Sequence, residues 1–247
     1  SYKDLEIDPA SVFTERLPMG YACHAPDLFT GDFILNMASE DDAHWQRSID
    51  ELQGVIELTK SLRQWFTTDV DPVVISSLGG FTKDRHVPVD ELPDMYARVE
   101  AGLKRIDDSG VRLCAQTLPP FPWYMGGQLF CNLFVDGEST AQWARANGRR
   151  LCLDVSHTQL AANFHGRALS DYVDLLAPLS DHLHLVDATG VDGEGVQVGQ
   201  GEVDWALLAQ QLDTLAPGVS FIPEIWQGHV NNGEGFWIAL DRLEQWF

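Results

Sequence analysis

Short apolar runs alternate along the chain with longer stretches whose apolar residues recur every three or four positions, the periods of buried strands and amphipathic helices. The short runs are residues 4–7, 21–26, 72–80, 111–116, 151–154, 182–187 and 221–225, which predict seven strands. The longest helical stretch is 41–66, with Ile49, Leu52, Val55, Ile56, Leu58 and Leu62 on one face and Ser39 as a candidate cap. A second helix is expected over 91–108, with Leu92, Tyr96, Val99, Leu103 and Ile106 inward and Gly110 closing it. Further helices are expected over 139–146, 170–179, 203–215 and 234–246. Two long loops interrupt the pattern: one rich in proline and aromatics after Gln116, and one rich in glycine over 190–201.

Strand and helix alternate throughout, which predicts an α/β protein with a parallel sheet and helical crossovers. At 247 residues the chain has the length of one (β/α)8 TIM barrel. A closed barrel needs eight strands, so the first β/α unit is expected to precede Asp4 or to be supplied by other residues. Residues 1–247 thus read as a single domain, complete or cut from a longer parent.

The polar residues fall at the ends of the apolar runs. Leu151-Cys152-Leu153 runs straight into Asp154, with His157 three positions on. His184 and Asp187 end the next run, Glu224 the last, and His24, Ser77 and Gln116 the earlier ones. Taken singly, Asp154 is a helix cap and each histidine a surface or core residue. Several strands delivering Asp, His and Glu to one edge are harder to explain by packing, because buried charges are costly unless paired or metal-bound. In a barrel that edge is the face where active sites sit. The pattern points to a shared metal or substrate site.

Composition narrows the partners. The net charge of −21 repels phosphate backbones, so nucleic acid is not expected. No apolar run reaches membrane-spanning length and no secretory signal is visible. The four cysteines are scattered without a CxxC pair, as expected of reduced thiols in a cytoplasmic protein.

The chain resembles the xylose isomerase-like TIM barrels, the group of sugar isomerases and epimerases that is related to endonuclease IV. The resemblance is carried by His24-Ala25-Pro26, Leu153-Asp154-Val155-Ser156-His157, His184-Leu185-Val186-Asp187, Gly199-Gln200-Gly201-Glu202-Val203-Asp204-Trp205 and Pro223-Glu224-Ile225. It implies one divalent ion (Mn, Zn, Co or Mg) held by Gln116, Asp154, His184 and Glu224. Gln116 departs from the family, which usually has Glu there. An amide oxygen ligates a metal but carries no charge and cannot act as a base. The resemblance implies a sugar, or small hydroxy-carbonyl, isomerase or epimerase working through an enediolate, with Glu224 as base or ligand. His157, or Glu194 if its loop folds in, would move the second proton. An endonuclease IV-type site is disfavoured, because Ser77 and glycines stand where further ligands would be.

No Lys or Arg occurs in 117–137 or 187–241, so a phosphate clamp is not expected near the site. His24, Trp123, Asp187, Trp226 and His229 are instead the candidate contacts for a small-molecule carbohydrate. A homo-oligomer is left open. The rival reading is a non-catalytic sugar-binding or regulatory barrel, favoured by Gln116.

Overall fold

The structure, a computed structural model, describes residues 2–124 and 127–247. The chain divides into two compact units: Ser1–Gly80 with Val89–Ala115, and Phe81–Pro88 with Gln116–Phe247.

The first unit is built on three strands, β1 (Ala22–His24), β2 (Val73–Ser76) and β3 (Arg112–Gln116). They are parallel, with His24 level with Ile75 and Ile75 level with Cys114. Between β1 and β2 runs α1 (Asp42–Leu62). The predicted cap Ser39 is displaced by Asp41, whose carboxylate accepts from the N–H groups of Ala43 and His44. Ile49, Leu52, Val55 and Ile56 form the buried stripe of α1, as their spacing requires. Between β2 and β3 runs α2 (Leu92–Leu103). The strand expected over 4–7 is a 3-10 helix, Tyr2–Glu6. Its alternation rests on two apolar residues, and Ile7 stays 44% exposed, so no buried face exists to impose a strand.

In the second unit β3 ends at Gln116, and β4 (Arg150–Asp154), β5 (Ser180–His184) and β6 (Ser220–Ile222) follow. β4 pairs parallel with β5, and β5 with β6, placing Asp154, His184 and Ile222 at one level. Leu151, Cys152 and Leu153 are fully buried, as a strand covered on both faces demands. Each such leucine contributes about 2 kcal/mol by leaving water.

The helices of this unit are α3 (Gly137–Asn147), α4 (Val155–His165), α5 (Leu169–Leu176), α6 (Trp205–Leu215) and α7 (Val230–Leu243). α4 follows β4 without an intervening loop, so His157 lies in a helix and not in the loop expected for it. In α7 Asn231, Asn232 and Gly233 are left-handed, and regular helix begins at Glu234, where the sequence places it. The glycine-rich stretch is also more ordered than expected. Asp187–Thr189 and Gly193–Val196 pair as an antiparallel hairpin.

Cys23, Cys114, Cys131 and Cys152 are free thiols, the last three buried. Among the described residues, no helix is long and apolar enough to cross a membrane.

Candidate active site

Asp154 is the last residue of β4 and also the N-cap of α4, so the cap reading and the ligand reading both apply. Its Oδ1 accepts from the backbone N–H of His157 at 2.9 Å. Its Oδ2 accepts from Gln116 Nε2 at 3.1 Å and faces His184 Nδ1 at 3.2 Å. The sharp strand-to-helix turn is held by two hydroxyls. Thr117 Oγ1 accepts from the Asp154 N–H at 2.9 Å, and Thr158 Oγ1 donates to the Asp154 carbonyl at 2.6 Å.

His184 stands opposite Asp154 at the end of β5. Its Nδ1 lies 2.6 Å from Glu224 Oε2 and 3.2 Å from Gln116 Nε2. Asp154 and His184 are closed off from solvent, whereas the Glu224 side chain is 44% exposed. Gln116, Asp154 and His184 therefore meet with their polar atoms 3.1–3.2 Å apart, and Glu224 joins them through His184 at 2.6 Å.

His157 sits beside this group, in the first turn of α4. Its Nδ1 is 2.9 Å from the Thr117 carbonyl, which it reaches as a donor, and 3.5 Å from Asp154 Oδ2. Its Nε2 is 3.5 Å from Glu194 Oε2 on the hairpin. The loop expected to carry Glu194 inward is this hairpin.

Proton affinities follow from the packing. Burial opposes charge on His157, but the Asp154 carboxylate, with Glu194 and Glu224 behind it, outweighs burial and raises its pKa from 6.5 to about 10. Burial also pushes Asp154 upward, yet the charges and hydrogen bonds of His157 and His184 hold it below the ordinary carboxylate range. His184 is raised in the same way, against burial, by the neighbouring Cys152 and by its hydrogen bonds to Asp154 and Glu224. The Cys152 thiol is pushed up by burial and stays protonated.

The donor set fits a divalent ion. Two carboxylates and an imidazole supply borderline and hard ligands. Ligand atoms about 2.1 Å from a common ion stand about 3.0–3.4 Å from each other in octahedral or tetrahedral arrangements. The spacings among Gln116, Asp154 and His184, 3.1–3.2 Å, fall in that range, and Glu224 reaches the group through His184 at 2.6 Å. Gln116 joins the set once its amide turns over, bringing Oε1 to the place now held by Nε2.

The substrate contacts expected from sequence fare unevenly. Asp187 does not have that role. It is fully buried, and its carboxylate accepts from Ala188 N, Val203 N, Gly199 N and Trp205 Nε1 at 2.9–3.0 Å. Every acceptor direction is used to fold the stretch 199–205. Trp226 is 74% exposed, and its backbone N–H donates to the Gly195 carbonyl at 2.9 Å. His229 is exposed at the N-terminus of α7. His24 closes β1 in the first unit. The Trp123 side chain lies outside the described residues. Phe121 packs with His86, Phe130 and Phe164. Sequence reading missed Thr117, Thr158 and Ser156. The run Ser156-His157-Thr158 directly after a candidate cap was the available signal.

A family model described as xylose isomerase-like TIM barrel matches residues 6–246. The chain belongs to this family. Solved xylose isomerase-like structures share the fold. A D-tagatose 3-epimerase-like protein matches with a TM-score of 0.64 at 16% identity, covering 99% of this chain and 85% of its own. The IOLI protein, solved with a binding zinc atom, gives 0.65 at 14% identity over 87% of this chain and 76% of its own. Endonuclease IV from Thermus thermophilus gives 0.59 at 20% identity over 92% and 76%. No curated protein matches by sequence. At these identities the likeness is one of fold, which by itself assigns no chemistry to this xylose isomerase-like chain.

Proposed function

We propose that the protein is a metal-dependent isomerase or epimerase of small uncharged sugars. The observation that carries this reading is the grouping of Asp154, His184 and Gln116 within 3.1–3.2 Å, with Glu224 2.6 Å from His184. The names of the epimerase-like neighbours and of the zinc-bearing neighbour support it. Asp154, His184, Glu224 and the Gln116 amide oxygen would hold the ion. When bound, it supplies Lewis-acid polarisation of a carbonyl oxygen.

The remaining work falls to the side chains. Glu224 is the half-exposed carboxylate and takes the proton from the carbon beside the carbonyl. His157, kept charged by Asp154, gives a proton to the substrate carbon, while Glu194, 3.5 Å from its Nε2, holds the imidazole for this second transfer; Glu224 then releases its proton to water and His157 takes one up from water. Gln116 orients and does not transfer. Trp226 and His229 offer an exposed aromatic and an exposed imidazole to a polyol.

The test is hydrogen exchange at sugar carbons in heavy water, with Mn²⁺, Co²⁺ or Zn²⁺ added, over a panel of ketoses and aldoses. Exchange that depends on metal and falls about 10²-fold or more in Glu224→Gln supports the reading. Saturable sugar binding without exchange would favour a binding barrel, for which the neutral Gln116 is the supporting observation. Absence of metal binding would sink the proposal.

A further inference from the structure

Glu194 reaches His157 only because the hairpin that bears it is fastened in place, and the fastenings are visible. The Gly195 N–H donates to Ser156 Oγ at 3.2 Å. Ser156 is buried in the first turn of α4, directly before His157. Two turns further along α4, on the same face, Asn163 Nδ2 donates to the Gly190 carbonyl at 2.6 Å. The same amide group also donates to Glu202 Oε2 at 2.8 Å. Across the hairpin, the Gly195 carbonyl accepts from Trp226 N, two residues beyond Glu224.

The backbone at Gly195 is left-handed, with φ of +73°, and a Cβ there would lie 3.0 Å from Trp226 Cβ. The hairpin thus seats against α4 at two points and against the Glu224 segment at a third. One helix therefore carries both His157 and the groups that hold its partner.

We infer that Ser156 is a positioning residue, whose hydroxyl, with Asn163 farther along α4, keeps Glu194 against His157 for the second proton transfer. The inference rests on the isomerase reading for its consequence in turnover, but its geometry is testable without turnover. An exposed glutamate on a two-stranded hairpin samples many positions unless its backbone is tied. Removing one tie lets Glu194 leave His157 while Asp154, His184 and Glu224 stay where they are. The hydroxyl of Ser156 accepts from Gly195 on the hairpin, so its loss is felt in proton transfer and not in metal affinity.

The experiment compares wild type, Ser156→Ala, Ser156→Thr, Glu194→Gln and the Ser156→Ala/Glu194→Gln double variant at one pH. The first readout is the His157 imidazole resonances by NMR, with Gly195 amide exchange alongside. Ser156→Ala is expected to move the His157 signals in the direction that Glu194→Gln moves them and to speed Gly195 exchange about tenfold or more. In the Glu194→Gln background it should have no further effect on His157. Ser156→Thr, which keeps the hydroxyl, should restore the wild-type signals. Mn²⁺ affinity should stay within about threefold of wild type throughout.

Additive shifts in the double variant would overturn the inference, as would unchanged Gly195 exchange or a parallel loss of Mn²⁺ affinity. The second readout is sugar-carbon exchange, expected to fall about tenfold in kcat with little change in KM. If wild type shows no sugar-carbon exchange while the NMR coupling holds, the isomerase reading fails and the positioning role stands.

Discussion

Asp187→Asn is expected to be among the most damaging isosteric changes in the second unit, and the cost can be worked from the bonds. The carboxylate accepts from Ala188 N and Val203 N on one oxygen, and from Gly199 N and Trp205 Nε1 on the other. Asparagine retains one acceptor oxygen and turns a donor –NH₂ toward the other two N–H groups. Two buried donors lose their partner and face another donor. At about 1–3 kcal/mol for each unsatisfied group, the loss is about 2–6 kcal/mol. Set against about 5–15 kcal/mol for a whole domain, that is a large fraction of the total. For a chain of this size it lowers Tm by roughly 10 °C. Gly201→Ala should do comparable harm, because its Cβ would collide with Asp187 Oδ1 and the Ala188 carbonyl. Equilibrium urea unfolding, followed by tryptophan fluorescence, measures both. If Asp187→Asn unfolds within about 1 kcal/mol of wild type, the carboxylate does not organise the 199–205 stretch and the argument fails. If it keeps its stability but loses sugar binding, the substrate role dismissed for Asp187 returns.

Three further outcomes follow from the site. Metal affinity, measured by calorimetry, should climb by about tenfold per pH unit on the acid side, because His184 holds a proton that an ion must displace; pH-independent binding would refute that. Gln116→Glu should tighten Mn²⁺ binding by about tenfold, a charged ligand replacing a neutral one, and calorimetry of the two proteins decides it. Metal-free protein should lose stability as pH rises from 6.5 toward about 10. His157 has its pKa raised from 6.5 to about 10 on folding, so its contribution is complete below 6.5 and gone above 10. Urea midpoints across that range should fall in wild type and lose that decline in His157→Asn.

Much of this was readable in the sequence. Leu151-Cys152-Leu153 announced a doubly buried strand, and the acids and histidines at strand ends announced a shared edge, because both rest on local pattern. Gln116, Asp154 and His184 lie together, with Glu224 beside His184. What the sequence hid were features set by tertiary contact. α4 was invisible because Val155-Ser156-His157-Thr158 has weak helix propensity; the helix exists because Asp154 caps it and two threonines pin its start. The 187–196 hairpin was hidden by its glycines, whose purpose emerges only where Gly195 meets Ser156 and Trp226. Asp187 looked like a site residue because it ends the same apolar run as His184; its true partners lie up to 18 residues away in the chain.

The two oxygens of Asp154 answer to different masters. Oδ1 belongs to the helix it starts, and Oδ2 to the cluster it shares with His184 and Gln116. A lineage drifting away from catalysis cannot discard this acid without also unmaking α4, whereas Gln116 and Glu224 start no helix and are free to vary. Descendants that have lost the chemistry should therefore keep an aspartate at 154 as a fossil of it. Its presence therefore does not by itself mark an enzyme, and positions 116 and 224 are the ones that would report the proposed chemistry.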